Sequence, residues 1–228
     1  MQDWERIWRG SGVVLVVLTI VAFFVYGDQP KLGASPAELL SFFHGDRTRI
    51  LIATVIFCLA FLELLWFGAA VSSVLRDSGM AGWGTAATAS SAALGAILFL
   101  RMAVRAGLAF SIADLGHLQV TSGLADFAFA LTVISCFPAA MFIMAGAFGL
   151  SRAGAISKGF FAAGVAAVVL VLLGGTTWAS DGFWAPDGAY ALIAQIVLFA
   201  WIAGLSGFLA MRSSASARVP EGVAASSP

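Results

Sequence analysis

One acid, Glu63, stands in an apolar run from Leu51 to Ala70. It lies 14 residues beyond Arg49, or roughly 21 Å along a helix rising ~1.5 Å per residue. A charge at that depth costs at least ~2.5–3.5 kcal/mol on insertion scales, so an intramembrane acid marks a functional site by default. Two readings stay open. A carboxylic acid there is the candidate catalytic general acid, or it hydrogen-bonds Thr88, Ser90 or Ser91 on the next apolar stretch and joins two helices.

Arg101 and Arg105 are spaced to share one helix face. If the third apolar stretch runs on to Ile112, both lie within the bilayer, and Asp126 or Asp114 must neutralise them. If it ends near Leu100, they are interfacial and 106–117 forms a surface helix. The longer helix is preferred, with an Arg105–Asp126 pair that is a structural ion pair before it is a binding clamp. His44 and His117 fall near the ends of apolar stretches, with no carboxylate spacing for a metal, and no metal or other cofactor is expected. Cys58 and Cys136 lie inside apolar runs, as small hydrophobes do. Lys31 and Lys158 lie outside the runs, so a retinal Schiff base has no lysine to form on. Phosphate-binding glycine loops, H-E-x-x-H and G-x-S-x-G are absent.

The elements that hold these groups follow from composition. Hydrophobic residues make up 61% and charged ones 11%, against about 25% charged in a soluble domain. A helix crossing a bilayer needs roughly 20 predominantly apolar residues. Six stretches qualify, beginning near Trp8, Thr48, Gly84, Leu124, Gly159 and Tyr190. The expected fold is an all-α polytopic membrane bundle, with residues 1–212 as the transmembrane domain and 213–228 as a disordered cytoplasmic tail. The first stretch is followed by Tyr26-Gly27-Asp28-Gln29-Pro30 and reads as a retained anchor. With the N-terminus inside, Arg6, Arg9, Arg76, Arg152, Lys158, Arg212 and Arg218 face the cytoplasm, against Lys31, Arg47 and Arg49 outside. Both termini are therefore expected in the cytoplasm of a bacterial cell. A net charge of zero leaves no basic stripe for nucleic acid.

In the first outer loop, Ser35-Pro36-Ala37-Glu38 has the form of a capping box. With Leu39, Leu40, Phe42 and Phe43 behind it and Gly45 to end it, it predicts a short interfacial helix, and Asp46 then caps the second span. The last outer loop carries the turn signals Asp181-Gly182 and Pro186-Asp187-Gly188. Trp178, Phe183, Trp184 and Tyr190 around it suit an interfacial belt. Small residues at spacing four (Ala87-Ser91-Gly95, Ala145-Gly149, Ala203-Gly207) predict close helix contacts. Pro138 predicts a bend in the fourth span, and Gly174-Gly175 a loosened end to the fifth.

The run Gly33-Ala34-Ser35-Pro36-Ala37-Glu38-Leu39-Leu40-Ser41-Phe42-Phe43, then Asp46-Arg47-Thr48-Arg49-Ile50 and Leu65-Trp66-Phe67, resembles a group of uncharacterised multi-pass proteins of actinobacterial type. The resemblance covers roughly residues 30 to 80 and implies fold and location. It implies no activity, and Glu63 departs from the group's apolar pattern.

Function reads first as a small accessory or ligand-binding membrane protein in contact with the lipid bilayer, alone, as a homo-oligomer or with a membrane partner. An intramembrane enzyme on a lipid or isoprenoid, with Glu63 as general acid, is the second reading. A transporter of inverted three-span repeats is the third. Whether the chain is an enzyme is left open.

Overall fold

The computed structural model describes residues 2–113 and 116–216, with side chains from 7 to 211. Among these the chain is all helical: α1 Gln2–Tyr26, α2 Pro36–Gly45, α3 Arg47–Asp77, α4 Ala81–Gly107, α5 Leu118–Arg152, α6 Lys158–Gly174 and α7 Ala189–Ser216. A single wide π turn, Leu108–Ile112, continues α4, so both arginines lie within one helix, as the longer reading expects. α7 runs on to Ser216, past the expected boundary at 213; 217–228 and Asp114 lie outside the described residues.

Five helical segments have the length and apolarity to cross a membrane: Ile7–Tyr26, Arg47–Asp77, Ala81–Ile112, Leu118–Arg152 and Ala189–Met211. These are the proportions of an integral membrane protein. The sixth stretch is apolar but forms only 17 residues of helix. Ser157 caps its start by accepting from the Phe160 N–H at 3.2 Å, and the Gly174-Gly175 pair ends it. At ~1.5 Å per residue that gives about 25 Å, short of the ~30 Å hydrocarbon core.

Neighbouring helices run antiparallel. Along α3 and α4, Leu65 meets Gly95, Gly68 meets Ser91 and Ser72 meets Gly84, so residue numbers rise on one helix as they fall on the other. The Ala87-Ser91-Gly95 stripe thus packs on α3, as its spacing predicts. Gly149 of α5 likewise admits Leu75 and Trp83, whereas Gly207 faces open space. Each long helix packs on the next, and α7 returns to α1, which closes a ring. The closure is polar: the Ser206 hydroxyl donates to the Arg9 carbonyl at 2.7 Å and accepts from the Val13 N–H at 3.3 Å.

Ser35 caps α2 as its sequence predicts, accepting from the Glu38 N–H at 3.2 Å, with Pro36 in the first turn. Leu39 and Phe43 are its buried face, and the helix rests on α5 and α3. Asp46 stands at the N-cap of α3 but makes no side-chain cap bond; its carboxylate accepts from Arg49 at 2.7 Å instead. At the same end, the Leu32 N–H donates to Asp187 at 2.9 Å, tying the first loop to the last. The expected aromatic group packs partly on itself, with Trp184 and Tyr190 rings 4.4 Å apart. Pro138 lies inside α5.

Candidate functional site: a central cavity with a buried arginine

Each long helix turns a stripe inward at helical spacing. Leu15, Thr19 and Phe23 come from α1, Phe57, Phe61 and Leu64 from α3, and Leu94, Leu98 and Arg101 from α4. α5 adds Thr132, Ser135, Cys136 and Ala139, α6 adds Val171 and Gly174, and α7 adds Ala191, Ala194, Gln195, Leu198 and Phe199. Together they line a cavity of about 60 Å³, room for a few waters, since one water needs roughly 10–15 Å³ on that scale. Small side chains leave the space open: Ala139, Ala191 and Ala194 are lining residues, and a Cβ on Gly174 would come within 3.0 Å of both Ala194 Cβ and Cys136 Sγ.

Arg101 is the one charged lining residue. Its side chain is 9% exposed, and its buried Nε has no hydrogen-bond partner. No described carboxylate pairs with it or with Arg105. A guanidinium offers five N–H donors, accepts nothing and keeps its charge. Burying it unpaired costs several kcal/mol, so this cavity requires acceptors inside it. Arg105, one turn on, adds a like charge.

Arg105 itself is 5% exposed and stands 5.0 Å over the Tyr26 ring. The expected Arg105–Asp126 pair does not form. Ala125, Ala128 and Phe129 of α5 line one small pocket with Arg105, Tyr26, Leu39 and Phe43, while Asp126 is exposed on another side of the same helix. A ring face therefore takes the place of the carboxylate.

Glu63 lies off the cavity, half-buried, and makes no hydrogen bond or ion pair among the described residues. The α3 residues that meet α4 are Leu65, Gly68 and Ser72, and Glu63 is turned about 140–180° from them at ~100° per residue. Its expected partners bond within their own helix: Thr88 donates to the Gly84 carbonyl, Ser90 to that of Ala86, and Ser91 to that of Thr88. Of the candidate residues that the sequence offers, Arg101 alone lines the cavity.

Four lining hydroxyls and thiols are likewise committed to backbone carbonyls: Thr132 to Ala128, Ser135 and Cys136 to Thr132, and Thr177 to Gly174. Two lining groups are not. Thr19 Oγ1 is buried without a partner, and the Gln195 amide has none among the described residues. Sequence reading passed over both, although Gln195 is an amide in an apolar run and carries a legible signal. The lining offers no acid–base pair, and no described cluster of His, Cys, Asp or Glu is grouped to hold a metal. What the lining can offer chemically is hydrogen-bond donation to an acceptor or anion. Comparison with known proteins finds no family model, no characterised protein and no solved structure that matches this chain.

Proposed function

We propose that the chain is a six-span protein of a bacterial cytoplasmic membrane that binds a small ligand in its central cavity. α6 serves as the sixth span at the lower length limit, both termini lie in the cytoplasm, and α2 lies at the outer interface. The group of actinobacterial type that its 33–50 and 65–67 segments resemble fits this placement. The observation that carries the binding reading is Arg101, a buried cation that no described carboxylate pairs, on the wall of a cavity lined by α1 and by α3 to α7.

The test is native mass spectrometry of the full chain released from its own membranes. A ligand retained after annular lipid is stripped, and lost in Leu198→Trp, which narrows the cavity, is the expected result. Equal loss of all bound mass in both forms would overturn the reading. One observation favours a transporter as second reading: the lining comes from three helices of each half of the chain, where inverted-repeat transporters bind substrate. Uptake of the retained ligand into vesicles separates the two.

A further inference from the structure

The central cavity limits its ligand in size, in charge and in the sense of its hydrogen bonds. Its volume of about 60 Å³, at roughly 10–15 Å³ for each water-sized centre, takes about four to six non-hydrogen atoms. Its lining holds one charged side chain, Arg101, and no carboxylate. Arg101, the Thr19 hydroxyl and the Gln195 amide have no hydrogen-bond partner among the described residues, and all three can donate. The hydroxyl hydrogens of Thr132, Ser135 and Thr177 already go to backbone carbonyls.

Contacts between helices set the relative depth of the three free donors. Phe23 of α1 meets Phe57 of α3 at 5.2 Å between ring centroids, and Phe61, one turn along α3, meets Phe99 of α4 at 5.7 Å. Because these neighbours run antiparallel, Thr19 stands about level with Phe61 and Phe99, and Arg101 lies roughly 3 Å farther toward the α2 end. α7 is antiparallel to α1, since Ser206 meets Arg9 and Val13 while Asp187, before α7, bonds Leu32, after α1. Ser206 packs on Gly12; Gln195 is eleven residues before Ser206, and Phe23 eleven after Gly12. Gln195 therefore comes level with Phe23, about 6 Å from the Thr19 level. Arg101 falls between the other two donors, all within about one helical turn of depth.

We propose that the cavity binds one small, planar, monovalent oxyanion, of the size of formate, bicarbonate or nitrate, with Arg101 as its counter-charge. This inference rests on the ligand-binding reading above and names its ligand class. Such an anion has three or four non-hydrogen atoms, which leaves space for a water beside it. The guanidinium plane meets a planar oxyanion with two parallel N–H···O bonds, and charge-assisted bonds of this kind are about twice as strong as neutral ones. Thr19 and Gln195 supply further donors from α1 and α7. One negative charge balances the one cation of the lining. A dianion such as sulfate would leave its second charge unpaired among apolar side chains, at a cost of several kcal/mol. Arg105 sits on the Tyr26 ring outside this lining, so it adds to the positive field without contacting the anion.

The test uses the full chain in phosphatidylcholine nanodiscs, with sodium gluconate as the background salt because gluconate is too large for the cavity. Nitrate, formate and bicarbonate replace gluconate stepwise at constant pH and ionic strength, and thermal unfolding is followed. At least one should stabilise the protein through a single site, with a rise of about 3–5 °C for each tenfold excess over its Kd. The tightest of the three names the anion. Chloride, which cannot use the planar fork, should bind more weakly, and sulfate should give no shift. Arg101→Met should raise the Kd more than roughly tenfold, as loss of a charge-assisted bond predicts. Arg101→Lys, which keeps the charge without the fork, should fall between, and Leu198→Trp should abolish the response. The unfolding transition of each variant in gluconate shows that it is folded.

Full response in Arg101→Met, an equal response to sulfate, chloride binding as tightly as the best oxyanion, or no response to any of the three overturns the inference. The ligand-binding reading is judged apart from it. A different ligand retained by the native chain and lost in Leu198→Trp would keep that reading while the anion class falls, and loss of that result as well would overturn both.

Discussion

Replacing Arg101 by methionine should stabilise the empty protein. The side chain is nine-tenths buried, its Nε has no partner, and no described carboxylate pairs with it. Methionine follows the same path along the cavity wall without a charge. An arginine at the centre of a membrane helix costs about 2.5–3.5 kcal/mol on insertion scales. Exchanging buried ionic groups for apolar ones of similar volume gains about 1–4 kcal/mol where measured. Water in the cavity offsets part of the penalty, so a gain of about 1–3 kcal/mol is expected. At roughly 2–4 °C per kcal/mol for a chain of this size, the melting temperature of ligand-free protein should rise by several degrees. Arg105→Met is the internal control. It removes a guanidinium seated on the Tyr26 ring, an interaction worth about 0.5–2 kcal/mol, and should stabilise less or destabilise. The assay is thermal unfolding in detergent after exhaustive delipidation. A drop of more than ~1 kcal/mol in Arg101→Met, or equal shifts in both variants, would refute the claim that Arg101 is uncompensated; breaking a buried pair typically costs ~3–5 kcal/mol.

Glu63→Gln should change stability by less than about 1 kcal/mol, because Glu63 has no bonded partner among the described residues and does not line the cavity; equilibrium unfolding checks this. Ser206→Ala removes the hydroxyl that bridges α1 and α7 and should cost about 1–3 kcal/mol, read as faster proteolysis at Arg9. Gly68→Leu should disrupt the α3–α4 seam outright, since even a Cβ there meets Ser91 Oγ and Cβ; a folded, normally melting variant would show that the seam yields. Reporter fusions at Ser216 and beside Asp181 should report opposite sides of the membrane, and a shared side would sink the proposed topology.

The α2 cap shows what local chemistry can specify. Ser35, Pro36 and Glu38 are neighbours in the chain, so their bond follows from spacing alone. Helix existence is equally legible, because apolar length is a one-dimensional property, and the small-residue stripe on α4 announces a close contact. Where sequence and structure differ, the difference is one of rotation. Depth alone pairs Glu63 with hydroxyls on α4, yet α3 presents Leu65, Gly68 and Ser72 to that neighbour. A shared helix end pairs Asp126 with Arg105, yet α5 turns Ala125, Ala128 and Phe129 that way. Depth along a helix can be counted from residue numbers, whereas azimuth depends on which neighbour packs where.

The sequence by itself determined the apolar helical segments, the capped α2 and the scarcity of charge that makes each buried ion conspicuous. These are set by hydropathy, capping and spacing within one segment. Only the tertiary structure decided that α7 closes on α1, that Arg105 takes a tyrosine ring as its partner, and that Arg101, Thr19 and Gln195 line one cavity. Those facts join residues up to 197 positions apart. They depend on the helix rotations that pack all seven helices at once, and no single segment carries that information.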